Sequence, residues 1–221
     1  MTTIVQNVNT RQTNVILGEK ERVLFGPGFI LDTLCGLTFR ISSQSFYQVN
    51  ATQTEVLYNE AIRLANLTGA ETVIDAYCGT GTIGLVAARR GAARVIGVDS
   101  VPSAIRDAAN NARHNGVENA EFVTQDATAF MKELEASEER PQPLVLLMDP
   151  PRAGSAPEFL EAATSLAPER IVYISCNPAT QARDVRQLVE SGYEVRAVRP
   201  VDMFPHTDHV ESIVLLEKRN D

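Results

Sequence analysis

With 221 residues, 44% of them hydrophobic and 22% charged, the chain has the make-up of an ordinary globular protein and is long enough to bury one sizeable core. Its 20 Lys and Arg against 28 Asp and Glu leave a net charge of −8, which excludes a protein that holds nucleic acid by overall charge alone but not one with a local basic face. No apolar run is long enough to span a bilayer, and three cysteines without C-x-x-C spacing exclude a disulfide framework and a cysteine-built metal site, so a reducing, cytoplasmic setting is expected.

In chain order, residues 1–45 read as β-rich. Thr3–Asn9, Asn14–Leu17 and Arg22–Phe25 are short β-prone pieces punctuated by Gly18, Gly26-Pro27-Gly28 and Gly36, and they read as hairpins too few to close a sheet by themselves. They predict the β-rich end of a preceding domain, the chain starting inside a longer protein, with a second unit over residues 46–221. A helix is expected over Thr52–Leu67, where Val56, Leu57, Ala61, Ile62, Leu64 and Ala65 form one apolar side. Strand and helix signals then alternate. Strands are predicted at Thr72–Tyr77, Arg94–Val98, Ala120–Thr124, Leu144–Met148, Arg170–Ser175, Tyr193–Val198 and Glu211–Glu217. Helices are predicted at Ile83–Arg90, Pro102–His114, Thr128–Glu139, Pro157–Leu166 and Ala179–Ser191, and Ser137–Pro143 as a solvated loop. This pattern specifies an α/β fold with a seven-stranded, mostly parallel sheet, to which the final strand pair adds an antiparallel edge.

The first strand of the alternation runs into Asp75-Ala-Tyr-Cys-Gly79-Thr-Gly81-Thr-Ile-Gly84, a G-x-G-x-x-G turn, with Asp99 ending the next strand 20 residues after Gly79. That spacing suits a nicotinamide dinucleotide, whose ribose an acid would hold. Acids at three successive strand ends, Asp75, Asp99 and Asp126, instead suit a cationic nucleoside such as S-adenosylmethionine (SAM), because a carboxylate attracts an ammonium or sulfonium and opposes a pyrophosphate. Asp126 also has an acceptor for an adenine amino group, although strand-end Asp residues are commonly helix N-caps. Asp149-Pro150-Pro151-Arg152 closes the fourth strand as a rigid turn. Enzymes that methylate exocyclic amines follow a similar Pro-Pro with an aromatic residue, and here Arg152 takes that place.

In Arg170–Pro178 (RIVYISCNP), a buried strand delivers Cys176 to the start of a helix capped by Asn177 and Pro178. A helix N-terminus lowers a thiol's pKa, which makes Cys176 a candidate nucleophile, against the common fate of free cysteines as inert core residues. His206, Asp208, His209 and Glu211 lack the spacing of a helical metal site, and no metal is expected. Arg152, Arg183 and Arg186 are candidates for phosphate contacts, with an ordinary solvated helix face as the alternative.

Taken together, Ser45–Asn50 (SFYQVN), Asp75–Gly84, Asp149–Arg152, Ser175–Pro178 and Phe204–Glu211 resemble the RNA uracil-5-methyltransferases, which make 5-methyluridine in 23S ribosomal RNA and in the transfer-RNA T-loop. The resemblance implies the Rossmann-like fold of class I SAM-dependent methyltransferases. It implies Cys176 as nucleophile and Glu211 as base. Gln48, Tyr77, Gly79, Asp99, Asp126 and Asp149 would be cofactor-binding positions. SAM would be the methyl donor, and RNA the partner, ribosomal RNA being favoured over transfer RNA. Members of the family usually carry an upstream RNA-binding domain, some with an iron–sulfur cluster. Two positions depart from the pattern of relatives: Asp99 is often Glu, and Thr82 stands where some have Asn.

Overall fold

The computed structural model describes residues 1–12, 16–18 and 20–219. Its centre is a seven-stranded sheet built from β5 (Thr72–Ala76), β6 (Arg94–Asp99), β7 (Ala120–Thr124), β8 (Leu144–Met148), β9 (Arg170–Ser175), β10 (Tyr193–Val201) and β11 (Glu211–Lys218). The order across the sheet is β10-β11-β9-β8-β5-β6-β7. β5 to β9 are parallel to their neighbours, and β11 inserts antiparallel between β9 and β10, so the β10–β11 hairpin forms one margin. All seven predicted strands are present. β10 runs three residues further than its pattern suggested, through Pro200. A proline is tolerated there because β10 is an edge strand whose outer side needs no ladder hydrogen bond.

Both faces of the sheet are buried, as the continuous apolar runs required. In β8, Val145 and Leu147 join a core layer with α1 (Ala51–Ala65) and α2 (Thr82–Arg89). Leu144, Leu146 and Met148 face the opposite layer, made by α4 (Ala127–Ala136), α5 (Pro157–Ser165) and α6 (Pro178–Glu190). Period-two alternation thus serves two cores at once. α3 (Pro102–His114) completes the helix set. The helices begin where expected to within one residue, with Asn50, Asp126 and Asn177 as side-chain caps. α4 ends three residues before Glu139, because Ser137 turns to extended backbone ahead of Pro141.

The first residues form two hairpins. β1 (Ile4–Val8) pairs with β2 (Lys20–Phe25), and β3 (Phe29–Leu34) with β4 (Leu37–Ser42). Of the piece predicted at Asn14–Leu17, Asn14 and Val15 lie outside the described residues, and Ile16 and Leu17 are not in a strand. The β3–β4 hairpin turns on Cys35 and Gly36, both at positive φ (52° and 77°), the two-residue turn whose backbone twist suits paired strands. Leu34, Leu37 and Phe39 pack into the α1–α2 core layer. The side chains of Asn111 on α3 and Asn115 at its C-cap accept from the backbone N–H groups of Arg40 and Thr38 at 2.8 Å each. Ser42 and Ser45 both donate to buried Asp107. This anchoring carries residues 46–48 to the open end of the sheet.

Candidate active site

At the carboxyl ends of the parallel strands the chain leaves β5 toward β6 on one side and β8 on the other, the switch point where open α/β sheets hold ligands. A cavity of about 460 Å³ opens there. All eight residues expected from the sequence line it: Gln48, Tyr77, Gly79, Asp99, Asp126, Asp149, Cys176 and Glu211. Arg152 and Phe46 are at its wall too, Phe46 with 78% of its surface exposed.

The glycine turn is built around carboxylates. Gly79 N–H donates to Asp99 at 3.0 Å, Gly84 N–H to Asp75 at 2.8 Å, and Gly81 N–H to the Cys78 carbonyl at 2.9 Å. The N–H groups of all three glycines are therefore engaged within the protein instead of being presented to a pyrophosphate. Gly84 could carry no side chain, since a Cβ there would lie 2.7 Å from Asp75 Oδ2. Asp99 also accepts from Val101 N–H at 2.8 Å. Asp126 caps α4 through Ala129 N–H at 3.0 Å while remaining at the cavity. Asp99 and Asp126, with the buried carboxyls of Asp149 and Glu211 beside them, face a single arginine, a lining that suits a cationic nucleoside better than a diphosphate. Tyr77 holds φ +64°, an uncommon conformation for a non-glycine residue, and its ring packs on Phe159 at 5.3 Å between centroids.

Asp75, expected to attract a ligand cation, lies just before the glycine turn in a side pocket that shares Gln48, Tyr77, Gly79 and Asp149 with the main cavity. It is 1% exposed and lines only an annex of about 60 Å³ beside the main cavity. Burial pushes its pKa up to about 7, with Gly84 N–H opposing and Asp99 adding to the rise. Asp149 rises to about 8 through burial, with Glu211 and Asp75 adding to it. Both carboxyls thus hold protons in the folded chain that the unfolded chain, with an aspartate pKa near 3.9, releases. Through these two groups the native state binds more protons than the unfolded one between about pH 4 and pH 8, so their contribution to stability is fullest at the acid end of that window and is lost as pH rises through it. Replacing Asp149 with Asn removes its share. The ligand-free variant is expected to melt a few degrees above the parent at about pH 8 and level with it near pH 4. Thermal melts across the window test this, and parallel curves for the two proteins would defeat it.

At the other end, the antiparallel β9–β11 register closes on the Ser212–Ser175 pair, and the residues next to that pair, Glu211 and Cys176, both line the cavity. Glu211 is 4% exposed, and burial raises its pKa. Asn177 caps α6 through Ala179 N–H at 3.1 Å, with Pro178 in its first turn, as the sequence indicated. The expected lowering of the Cys176 thiol is corrected. Burial, then the Glu211 and Asp149 carboxylates, push its pKa up and outweigh Arg152 and the residue's own backbone N–H.

Of the three arginines singled out for phosphate contact, only Arg152 lines the cavity. Arg183 donates to the Ala153 carbonyl at 3.0 Å and pairs with Asp184, while Arg186 pairs with Glu190 on a solvated helix face. His206 and His209 are exposed, His209 standing edge-on to Phe204. Among the described residues, no three His, Cys, Asp or Glu side chains converge as a metal site. Sequence reasoning missed Gln181, whose buried amide donates to the carbonyls of Tyr173 on β9 and Ser212 on β11 at 2.9 and 3.1 Å and so ties together the two strands that carry Cys176 and Glu211. A polar residue three positions before Asp184 on α6, on the face turned to the sheet, was the available signal.

The family model described as tRNA (uracil-5-)-methyltransferase matches residues 15–219. The chain belongs to this family. It is 52% identical over 217 residues to a protein of Halalkalibacterium halodurans described as an uncharacterized RNA methyltransferase, the match covering 98% of this chain and 47% of that one. A protein of the same description from Lactiplantibacillus plantarum is also 52% identical, over 97% of this chain and 47% of its own. The chain therefore spans about half the length of the curated relatives it matches. Among solved structures, the tRNA (uracil-54, C5)-methyltransferase of Pyrococcus abyssi, in complex with S-adenosyl-L-homocysteine, superimposes with a TM-score of 0.80 at 35% identity, covering 97% of this chain and 50% of that one. A SAM-dependent methyltransferase from Agrobacterium tumefaciens, 18% identical with a TM-score of 0.68, shares the Rossmann-like fold.

Proposed function

We propose that this chain is the catalytic part of a SAM-dependent RNA uracil-5-methyltransferase that works through a transient bond between Cys176 and uracil C6. The observation that carries the reading is that Cys176 and Glu211 line the same acid-lined cavity, close enough for the Glu211 charge to act on the thiol. In it, Asp99 and Asp126 would hold the ribose and adenine of SAM, and Gln48, Tyr77, Gly79 and Asp149 the remainder. Bound there, SAM supplies an electrophilic methyl group.

Uracil C5 is too weak a nucleophile to take that methyl group unaided. Addition of the Cys176 thiolate at C6 turns the ring into an enolate and makes C5 electron-rich. After C5 is methylated, the Glu211 carboxylate takes the C5 proton, and the C6–sulfur electrons return to the thiolate as the C5–C6 double bond re-forms. Burial of Glu211 suits this, since a carboxylate with a raised pKa is a better base. The target base must be unpaired or flipped to reach the cavity. The exposed ring of Phe46 offers it a stacking face, and Arg152 a phosphate partner.

The class of RNA divides the reading in two. Ribosomal RNA is the substrate expected from the sequence, and the solved P. abyssi neighbour, by its name a tRNA enzyme, favours transfer RNA as the second reading. Incubating the protein with SAM and RNA that carries 5-fluorouridine is expected to yield a denaturation-resistant complex, because fluorine at C5 cannot leave as a proton. Presenting ribosomal and transfer RNA separately distinguishes the substrates. Methyl transfer to unfluorinated RNA without any adduct on the fluorinated RNA would refute the mechanism.

A further inference from the structure

Helix α6 turns two buried polar side chains toward the sheet, Gln181 and Asp184, 3% and 1% exposed. A buried carboxylate is tolerated only when its oxygens are hydrogen-bonded. Asp184 Oδ2 accepts from Tyr173 O–H at 2.7 Å and from Ser155 N–H at 2.8 Å, and Oδ1 accepts from Arg183 Nε at 2.8 Å. The guanidinium of Arg183 turns back to donate to the carbonyls of Ala153 and Ser155 at 3.0 and 3.4 Å. Two loop residues, Ala153 and Ser155, are thus gripped by one acid–base pair. Gly154 lies flush against it at φ +81°, where a Cβ would come within 2.5 Å of both Asp184 Oδ2 and an Arg183 guanidinium nitrogen.

The bond to Tyr173 ties α6 to the sheet, but the others go to a loop that continues directly from the cavity wall, Asp149-Pro150-Pro151-Arg152. The same loop is held at its near end by the first turn of α6, where Asn177 Nδ2 and Thr180 Oγ1 both donate to the Arg152 carbonyl at 3.2 Å. At its far end Ser155 Oγ accepts from Tyr77 O–H at 3.4 Å. Both ends of the clasp therefore meet cavity residues, and its anchor is α6, the helix capped by Asn177 directly after Cys176.

We infer that Asp184 is a positioning residue: through Ser155 and Arg183 it sets the 149–155 loop, and with it Asp149, Arg152 and the Tyr77 ring, in fixed relation to Cys176. This rests on the reading of the cavity as a SAM site. Asp184→Asn keeps the shape and removes the charge that holds Arg183. Gly154→Ala pushes the loop off from its own side. Tyr173→Phe removes only the bond to the strand and serves as the control for stability alone.

The full chain is used, with hydrogen exchange at the Ser155 amide and S-adenosylhomocysteine affinity as readouts, at temperatures where melts show each variant folded. Asp184→Asn and Gly154→Ala are each expected to speed Ser155 exchange selectively, relative to the Leu146 amide in the sheet, and to weaken the ligand by about tenfold. Single-turnover methyl transfer falls further, toward the roughly 10²-fold that an ångström-scale misplacement costs. Tyr173→Phe lowers the melting temperature and leaves both readouts at parental values. Equal exchange at Ser155 in all folded variants, or a Tyr173→Phe protein that loses affinity as much as the other two, overturns the inference. A parent that binds no S-adenosylhomocysteine refutes the proposed function, and Ser155 exchange still decides the clasp. If Asp184→Asn does not fold, Gly154→Ala decides between the same two outcomes.

Discussion

Glu211→Gln is expected to leave RNA covalently attached to the protein in the presence of SAM, with ordinary uridine and no fluorine. The side chain opens β11, lines the cavity together with Cys176, is 4% exposed and has its pKa raised by burial. Glutamine matches its shape and supplies no basic oxygen. Addition of the thiol and methylation of C5 do not need the carboxylate, whereas elimination does, because the C5 proton must leave before the C6–sulfur bond can break. Loss of a general base costs about 10² to 10⁴ in rate, so the methylated adduct outlives its formation and accumulates. A denaturing gel with end-labelled RNA should show a shifted band that carries the methyl label. Turnover within tenfold of the parent, with no shifted band, would place the base on another residue.

The architecture was legible because both faces of the sheet are covered. Leu144–Met148 and Arg170–Ser175 could only be strands buried on two sides, and the five predicted helices between the seven strands left little choice of topology. Hairpins were expected over residues 1–45, but the strands and turn of the β3–β4 hairpin were not placed, for an equally specific reason. Its turn places Cys35 at φ 52°, where Asn, Asp or Gly would have announced a hairpin, and a lone Gly36 read as simple punctuation. β4 is then held by Asn111 and Asn115, partners some seventy residues later whose amides look in sequence like ordinary helix surface.

The lining of the cavity was legible largely through the family resemblance, and for Asp99, Asp126, Asp149 and Cys176 also through their place at the ends of parallel strands, whereas Gln48 lies between β4 and α1. What the sequence could not reveal is how close the charges lie. A helix start beside Cys176 argued for a low thiol pKa, but the neighbouring carboxylates come from strands β8 and β11, and only the fold makes them neighbours. The clasp on the 149–155 loop is invisible for the same reason, since Arg183-Asp184 resembles a surface ion pair until Tyr173 and Ser155 are found against it.

Cys176→Ser is expected to abolish methyl transfer, lowering its rate by roughly 10⁴-fold or more, while S-adenosylhomocysteine affinity stays at the parental level. Serine keeps the size and the hydrogen-bonding turn, so the cavity should persist, but a hydroxyl does not ionise in the accessible pH range and adds poorly to C6. The fluorinated RNA should then form no adduct at all. The raised thiol pKa gives the parent enzyme a matching signature. Nucleophile and base both act deprotonated, and both are shifted upward, so the single-turnover rate should climb with pH through neutrality. A rate that is flat or falling across that range, or a serine variant that still traps fluorinated RNA, would mean that the bond to uracil is made by another group and that Cys176 only lines the cavity.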